Sequence, residues 1–196
     1  MPAGMSQAAT TTEERLMAKY VGGDEVAFQQ LFALLAPKLR AFFLRSFVDA
    51  AMAEDLTQTT FLKLHRARAS YCTDRPLKPW LFTIAASVRR DELRRRYRLP
   101  PHVGEIELEQ AESQESSEHG PFADTNGASE IEAVRAAVNR LPESQRTVLH
   151  LHLHEELTFD EIAEVLGTSP GAVRVRASRA YERLRKGLRP FLARRE

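Results

Sequence analysis

Apolar side chains recur along most of this chain at three- and four-residue intervals, the spacing that gathers them onto one face of a helix. After a short helical pattern in TTEERLMAKYV and a Gly22-Gly23 break, they fall at Phe28, Leu31, Phe32, Leu35, Leu39 and Phe42, behind Asp24 as a start signal. Pro37 should interrupt or kink that helix. A third pattern, Asp49 to Ala67, buries Met52, Leu56, Phe61 and Leu64 and leaves Glu54, Asp55, Gln58 and Lys63 facing out. Residues 68–79 hold two prolines among polar residues and read as an exposed loop. A fourth helix follows from Trp80, apolar in its first half and carrying Arg89, Arg90, Arg94, Arg95, Arg96 and Arg98 in its second. Helical spacing resumes near Ser129 with Ile131, Val134, Ala137, Val138 and Leu141.

The stretch from Leu141 to Gly187 has stop and start signals that describe a helix-turn-helix. Pro142 suits a first helical turn, where its missing N–H goes unused, and Val148, Leu149, Leu151 and Leu153 carry the helix to about His154. Thr158 and Glu161 have capping-box spacing before Phe159, Ile162, Ala163, Val165 and Leu166. Gly167 accepts the left-handed backbone that ends a helix, and Ser169-Pro170 starts the next one at once. In that last helix Val173, Ala177, Ala180 and Leu184 form a packing side, while Arg174, Arg176, Arg179, Arg183, Arg185 and Lys186 crowd the remainder. An ordinary solvated helix mixes charge signs, yet Glu182 is the sole acid between Ser169 and Phe191. A slim cationic helix displayed after a tight turn is what the DNA major groove accepts.

Charge matters here through its distribution, since the 196 residues carry a net charge of only +1. From Leu99 to Val134 there is no Lys or Arg, and six glutamates fall between Glu105 and Glu118. Such a stretch has too little apolar material to bury, so residues 99–128 read as an acidic flexible linker between domains at 11–98 and 129–196. The expected fold class is therefore all-α, in two small helical domains. The single cysteine, Cys72, excludes a disulfide framework within one chain and fits a reducing cytoplasm. The first residues lack the basic flank and apolar core of a signal peptide, so residues 1–10 are expected to be a disordered tail, and no apolar run is long enough to span a bilayer.

These pieces, in this order, resemble a bacterial sigma factor of the extracytoplasmic-function group. The resemblance rests on Ala53-Glu54-Asp55-Leu56-Thr57-Gln58 with Phe61 and Leu62, on Pro79-Trp80-Leu81-Phe82-Thr83-Ile84-Ala85 with Asp91, Leu93 and Arg94, and on Leu141-Pro142 followed by Glu161-Ile162-Ala163 and Gly171-Ala172-Val173-Arg174. It implies that the third helix, through Asp49, Glu54, Asp55, Gln58, Phe61 and Leu62, docks on core RNA polymerase. The fourth helix and its preceding loop, through Arg75, Lys78, Trp80, Arg89, Arg90, Arg94 and Arg95, would hold the melted −10 element. The last helix, through Ser169, Arg174, Val175, Arg176, Ser178, Arg179 and Arg183, would read the −35 duplex. Val175 and Ser178 stand where family members vary, so no promoter sequence carries over. The resemblance also implies an anti-sigma partner, a monomer when free, a cytoplasmic location, no cofactor, and a linker threaded through the channel by which nascent RNA leaves. Thirty extended residues reach about 100 Å, ample for promoter elements about 55 Å apart.

Other classes account for less. A sigma-mimicking decoy that binds an anti-sigma factor has no need of arginines on two DNA-facing helices. A plain helix-turn-helix repressor leaves the half from Asp49 to Arg98 unexplained. For an enzyme, the sequence offers no Gly-rich phosphate loop, no Cys-His nucleophile pattern and no metal triad. His150, His152 and His154 form an unusual cluster, and the first and last share a helix face, but no third metal ligand stands nearby.

Overall fold

The structure is a computed structural model that describes residues 11–47, 49–98 and 130–192. The tail expected at 1–10 and the linker expected at 99–128 lie outside the described residues. Within these, eight α-helices and one 3-10 turn account for the secondary structure, with no strand among them.

Helix α1 (Thr12–Val21) begins on a capping box in which Thr11 and Glu14 satisfy one another's exposed N–H groups. Helix α2 (Glu25–Ser46) is capped by Asp24, whose carboxylate accepts from the Ala27 N–H. It continues unbroken through Pro37, so the proline does not interrupt the helix, one of the two outcomes its sequence allows. Leu31, Leu35, Leu39 and Phe42 lie at 0–1% exposure on its inner face, so packing on both sides of the proline holds the helix despite one missing hydrogen bond. Helix α3 (Ala50–Ala67) is capped by Asp49 and ends in a 3-10 turn at Arg68–Ser70. Helix α4 (Leu77–Tyr97) starts three residues before the expected Trp80. Pro79 then falls in the first turn, where backbone N–H groups have no helical partner and a proline costs nothing.

The C-terminal set comprises α5 (Glu130–Asn139), α6 (Glu143–Leu153), α7 (Phe159–Leu166) and α8 (Pro170–Leu192). A small cluster of Leu141, Leu149 and Ala180, with Leu184 beside it, ties α8 to α6. The remaining apolar side chains do not form a second, separate core. Val148, Leu151, Leu157, Ile162, Val165 and Leu166 join one continuous buried cluster with Leu39, Phe42, Phe82 and Leu93 of the N-terminal helices. Helix α6 packs on α2, and α7 packs on α4. The two helical sets, expected as units on a tether, are therefore closed against each other.

Polar groups are buried in the same seam. The Arg89 guanidinium of α4 donates to the Glu143 carboxylate of α6 at 2.6 Å, with both side chains at most 6% exposed. Ser46 at the end of α2 donates to the second carboxylate oxygen, as does Thr147 at 2.6 Å. Further along α6, His150 is buried beside Phe42, their ring centroids 6.1 Å apart. Burial pushes its imidazole down to about 3, with Arg45 and His154 acting in the same direction. The buried Glu155 carboxyl stands 3.8 Å from His150 Nε2. Burial raises its pKa, opposed by Lys38, Lys78, His154 and Arg45. With so low a pKa His150 is neutral at physiological pH, so this approach is no ion pair.

The sign of the resulting pH dependence is fixed. Unfolded His150 takes a proton as pH falls below its ordinary 6.5, whereas folded His150 stays neutral down to about 3. Its contribution to stability is therefore present above pH 6.5 and lost progressively between 6.5 and 3. Replacing His150→Leu should remove this dependence, so that the variant gains on the parent by up to about 1.4 kcal/mol per pH unit between pH 6.5 and 5. Urea denaturation across that range measures it, and a gap that does not change with pH would show that His150 titrates normally in the folded chain.

Candidate nucleic-acid and polymerase interfaces

The helix-turn-helix is set by three local devices. Thr158 and Glu161 form the capping box that starts α7. Gly167 ends it with φ +66°, inside the left-handed region. Ser169 caps α8 by accepting from the Ala172 N–H at 3.2 Å. Along α8, Val173, Arg176, Ala177 and Ala180 turn inward, while Arg174, Val175, Ser178, Arg179 and Arg183 face solvent. Arg176, at 6% exposure, thus departs from the expected DNA-facing set. Its position lies between Val173 and Ala180 in the three-four rhythm of the packing side, and an arginine's methylene stem is compatible with that burial. Arg174 reaches Asp160 of α7 at 3.3 Å in an exposed pair.

The basic helix α4 and the loop before it are more constrained than the sequence suggests. Arg75 is exposed, and Trp80, half-buried, leans on Tyr71 with ring centroids 5.0 Å apart. These residues, with Cys72 and with Glu161 and Glu164 of α7, line a cleft of about 760 Å³. Lys78 Nζ donates to the Glu155 carbonyl at 3.2 Å, and Arg90 donates to the Leu166 carbonyl at 3.0 Å. Arg94 approaches Asp91 at 3.6 Å, and the exposed Arg95 forms a two-bond fork with Glu92. Arg89 is 1% exposed and sits on Glu143, so it corrects the expectation that it faces single-stranded DNA.

On α3 the outward strip consists of Asp55, Gln58 and Leu62, the last 49% exposed, with half-buried Glu54 beside Arg40 at 3.7 Å. Asp49 spends its carboxylate on the Ala51 N–H. Phe61 is 4% exposed and packs against Phe28 and Phe32, at centroid distances of 6.1 and 4.5 Å. It belongs to the core and not to a docking surface, because its position repeats the phase of Leu56 and Leu64. Glu143 is the residue that sequence reasoning missed. Directly after Pro142 it reads as a routine acidic first-turn residue, and nothing local signals a partner 54 positions away.

Two family models match: Sigma-70 region 2 over residues 31–99, and Sigma-70, region 4 over residues 131–184. The sigma factor CarQ of Myxococcus xanthus is 34% identical over 170 residues, covering 87% of this chain and 94% of that protein. The chain belongs to the extracytoplasmic-function group of the sigma-70 family. RNA polymerase sigma-H factor of Pseudomonas aeruginosa is 33% identical to this sigma factor over 190 residues, covering 92% of this chain and 95% of the relative. Among solved structures, CnrH in complex with the cytosolic domain of CnrY aligns at TM-score 0.60 and 26% identity, over 92% of this chain and 99% of the other. Sigma factor RpoE in complex with the anti-sigma factor NepR, from Bartonella quintana, aligns at TM-score 0.59 and 25% identity, over 83% and 96%.

The turn between α7 and α8 fixes how the arginine face of this sigma factor is presented. A Cβ added at Gly167 would meet Arg90 Nη1 at an ordinary 3.6 Å, so the cost of a side chain there lies in the left-handed backbone. Gly167→Ala should therefore lower stability by about 1–2 kcal/mol, seen as a fall in Tm, and an unchanged Tm would mean that the turn relaxes out of that conformation freely.

Proposed function

We propose that this sigma factor divides its work among three surfaces. Helix α3 engages core RNA polymerase through Asp55, Gln58 and Leu62, with Glu54 at the edge. The loop and helix around Arg75, Lys78, Trp80, Arg90, Arg94 and Arg95 hold the melted −10 strand. Helix α8 reads the −35 duplex through Arg174, Val175, Ser178, Arg179 and Arg183, with Ser169 at its start. The observation that carries this reading is the solvent-facing cationic strip of α8, presented by a short turn against an otherwise packed domain. A sigma-mimicking decoy has no use for such a strip.

Single-stranded DNA needs cations along its path and room for an unstacked base. The arginines of α4 with Arg75 and Lys78 supply the first, and the cleft beside Trp80, which Glu161 and Glu164 of α7 also line, supplies the second. No step of the proposed role makes or breaks a covalent bond on this chain, because polymerase carries the active site. The two aligned structures are complexes with an anti-sigma factor or a partner's cytosolic domain, which supports an equivalent restraint here and a cytoplasmic location. No helix among the described residues is long and apolar enough to cross a membrane. The direct test adds the purified chain to core RNA polymerase with fragmented DNA from its host and maps the 5′ ends of transcripts. Specific starts that depend on the chain are expected, and their absence would sink the proposal.

Two substitution sets separate the surfaces. Arg174→Ala and Arg179→Ala should each either lose about 1–3 kcal/mol of discrimination between −35 sites, if the arginine reads a base, or weaken all duplexes alike with a shallower salt dependence, if it holds a phosphate. Unchanged affinity and salt slope for both would remove α8 from the interface. The double change Asp55→Ala with Gln58→Ala should leave stability within about 0.5 kcal/mol, since both side chains face solvent. It should still compete poorly for core enzyme, and full competition would show that the strip is an ordinary wet surface.

A further inference from the structure

Helix α8 is basic along its exposed side, yet one of its arginines is shared with an acid. Arg174 Nη2 stands 3.3 Å from Asp160 Oδ1, with the two side chains 58% and 72% exposed. Arg179 and Arg183, farther along the same side, form no ion pair among the described residues. Asp160 lies in the first turn of α7, where an acid ordinarily serves the positive end of the helix. That service is already supplied by Glu161, whose carboxylate accepts from the Thr158 N–H and hydroxyl, both at 2.8 Å, to close the capping box. The Asp160 carboxylate instead accepts from α8 across the turn. An exposed ion pair adds little to stability. On a surface that takes up a polyanion, moreover, a carboxylate is a cost, because it repels every phosphate that approaches. Such a cost is useful where it falls more heavily on wrong sites than on right ones.

We infer that Asp160 is a positioning residue that sets the specificity of −35 recognition: it holds the Arg174 guanidinium for a base edge and denies it to phosphate. The inference rests on the proposed role of α8 as the reader of that duplex. Two effects combine. An untethered arginine explores many rotamers and settles on whichever phosphate is near, whereas one held at Nη2 reaches the groove with less freedom to lose. The guanidinium has donors to spare, so its bond to Asp160 leaves a pair free for the N7 and O6 acceptors of a guanine. The second effect is electrostatic. The Asp160 charge offsets the pull of Arg174 on the DNA backbone, which carries no sequence information, and spares the directed hydrogen bonds to a base, which do. Arg174 is placed for this task, since it lies in the N-terminal part of α8, the part of a recognition helix that contacts base edges.

The test uses the full chain on core RNA polymerase and two duplexes that stop short of the −10 element. One carries the −35 element of a start mapped with the parent chain, and in the other that element is scrambled. Asp160→Asn keeps the size of the side chain and removes its charge, and beside an intact capping box it should leave Tm unchanged. It should bind the scrambled duplex several-fold more tightly, with a salt dependence steeper by about one counterion. The ratio of the two affinities should fall several-fold. In an Arg174→Ala background the same change should leave the ratio where Arg174→Ala alone puts it. A ratio that Asp160→Asn does not lower overturns the inference. So does one lowered equally with and without Arg174, since the carboxylate would then act on DNA by itself. Should Asp160→Asn lower Tm, Asp160→Glu restores the charge and must restore the parent's ratio, and failure to do so overturns the inference. Arg174→Ala alone separates this inference from the function it rests on. If it weakens both duplexes alike, Arg174 holds a phosphate and the inference falls. If it changes neither affinity nor ratio, the role proposed for Arg174 in reading the −35 duplex fails first.

Discussion

The contact on which the closed arrangement depends is the buried pair between Arg89 and Glu143. It joins α4 to α6, and through Ser46 it draws in the end of α2, so a single carboxylate is shared by three helices. Both charges have left water, and each is tolerable only because the other is there. The hydrogen bonds from Ser46 and Thr147 add two donors to the second carboxylate oxygen, which helps this charge sit beside the apolar cluster that includes Leu151, Ile162, Phe42 and Phe82. Apolar burial alone would hold the seam without specifying it. The pair adds a directional contact between α4 and α6 that apolar packing lacks.

Around that fixed point the cations of α4 are divided by position. Those early in the helix or along its inner face meet the ends of α6 and α7, and those near its C-terminus, Arg94 and Arg95, bond to acids one turn back on the same helix. A basic stretch that looks uniform along the chain is thus two populations in space. The first is bound up with domain packing and the second is surface charge. His150 on α6 and Glu155 just beyond its end are buried near the pair, and burial disfavours the charged form of each.

Much of this was legible in the sequence because it was written in local chemistry. Asp24, Asp49, Thr158 with Glu161, Gly167 and Ser169 each do at a helix end what a short polar side chain or a glycine does there, and they need no information from elsewhere in the chain. The departures have two sources, packing that the local sequence does not show and a resemblance that runs against helical phase. Pro37 sits inside a helix because the core on either side outweighs one lost hydrogen bond. The family resemblance sets Phe61 and Arg176 on binding surfaces, whereas helical phase puts both inside. Arg89 was assigned by its basic neighbourhood, and the acid that claims it lies in a different domain, beyond the reach of any periodicity.

The phase of α8 has a consequence for how such a protein can change over generations. Val175, Ser178, Arg179 and Arg183 point away from the domain, while Val173, Ala177 and Ala180 hold the helix in place. Substitutions in the first group leave the packing untouched, so they can accumulate at little cost to folding. If the exposed side reads DNA as proposed, recognition preference and structural integrity are encoded on opposite sides of one helix. Under the proposed division of surfaces, a duplicated copy of this gene could drift toward new target sites by altering four exposed positions, with the scaffold and the turn inherited intact.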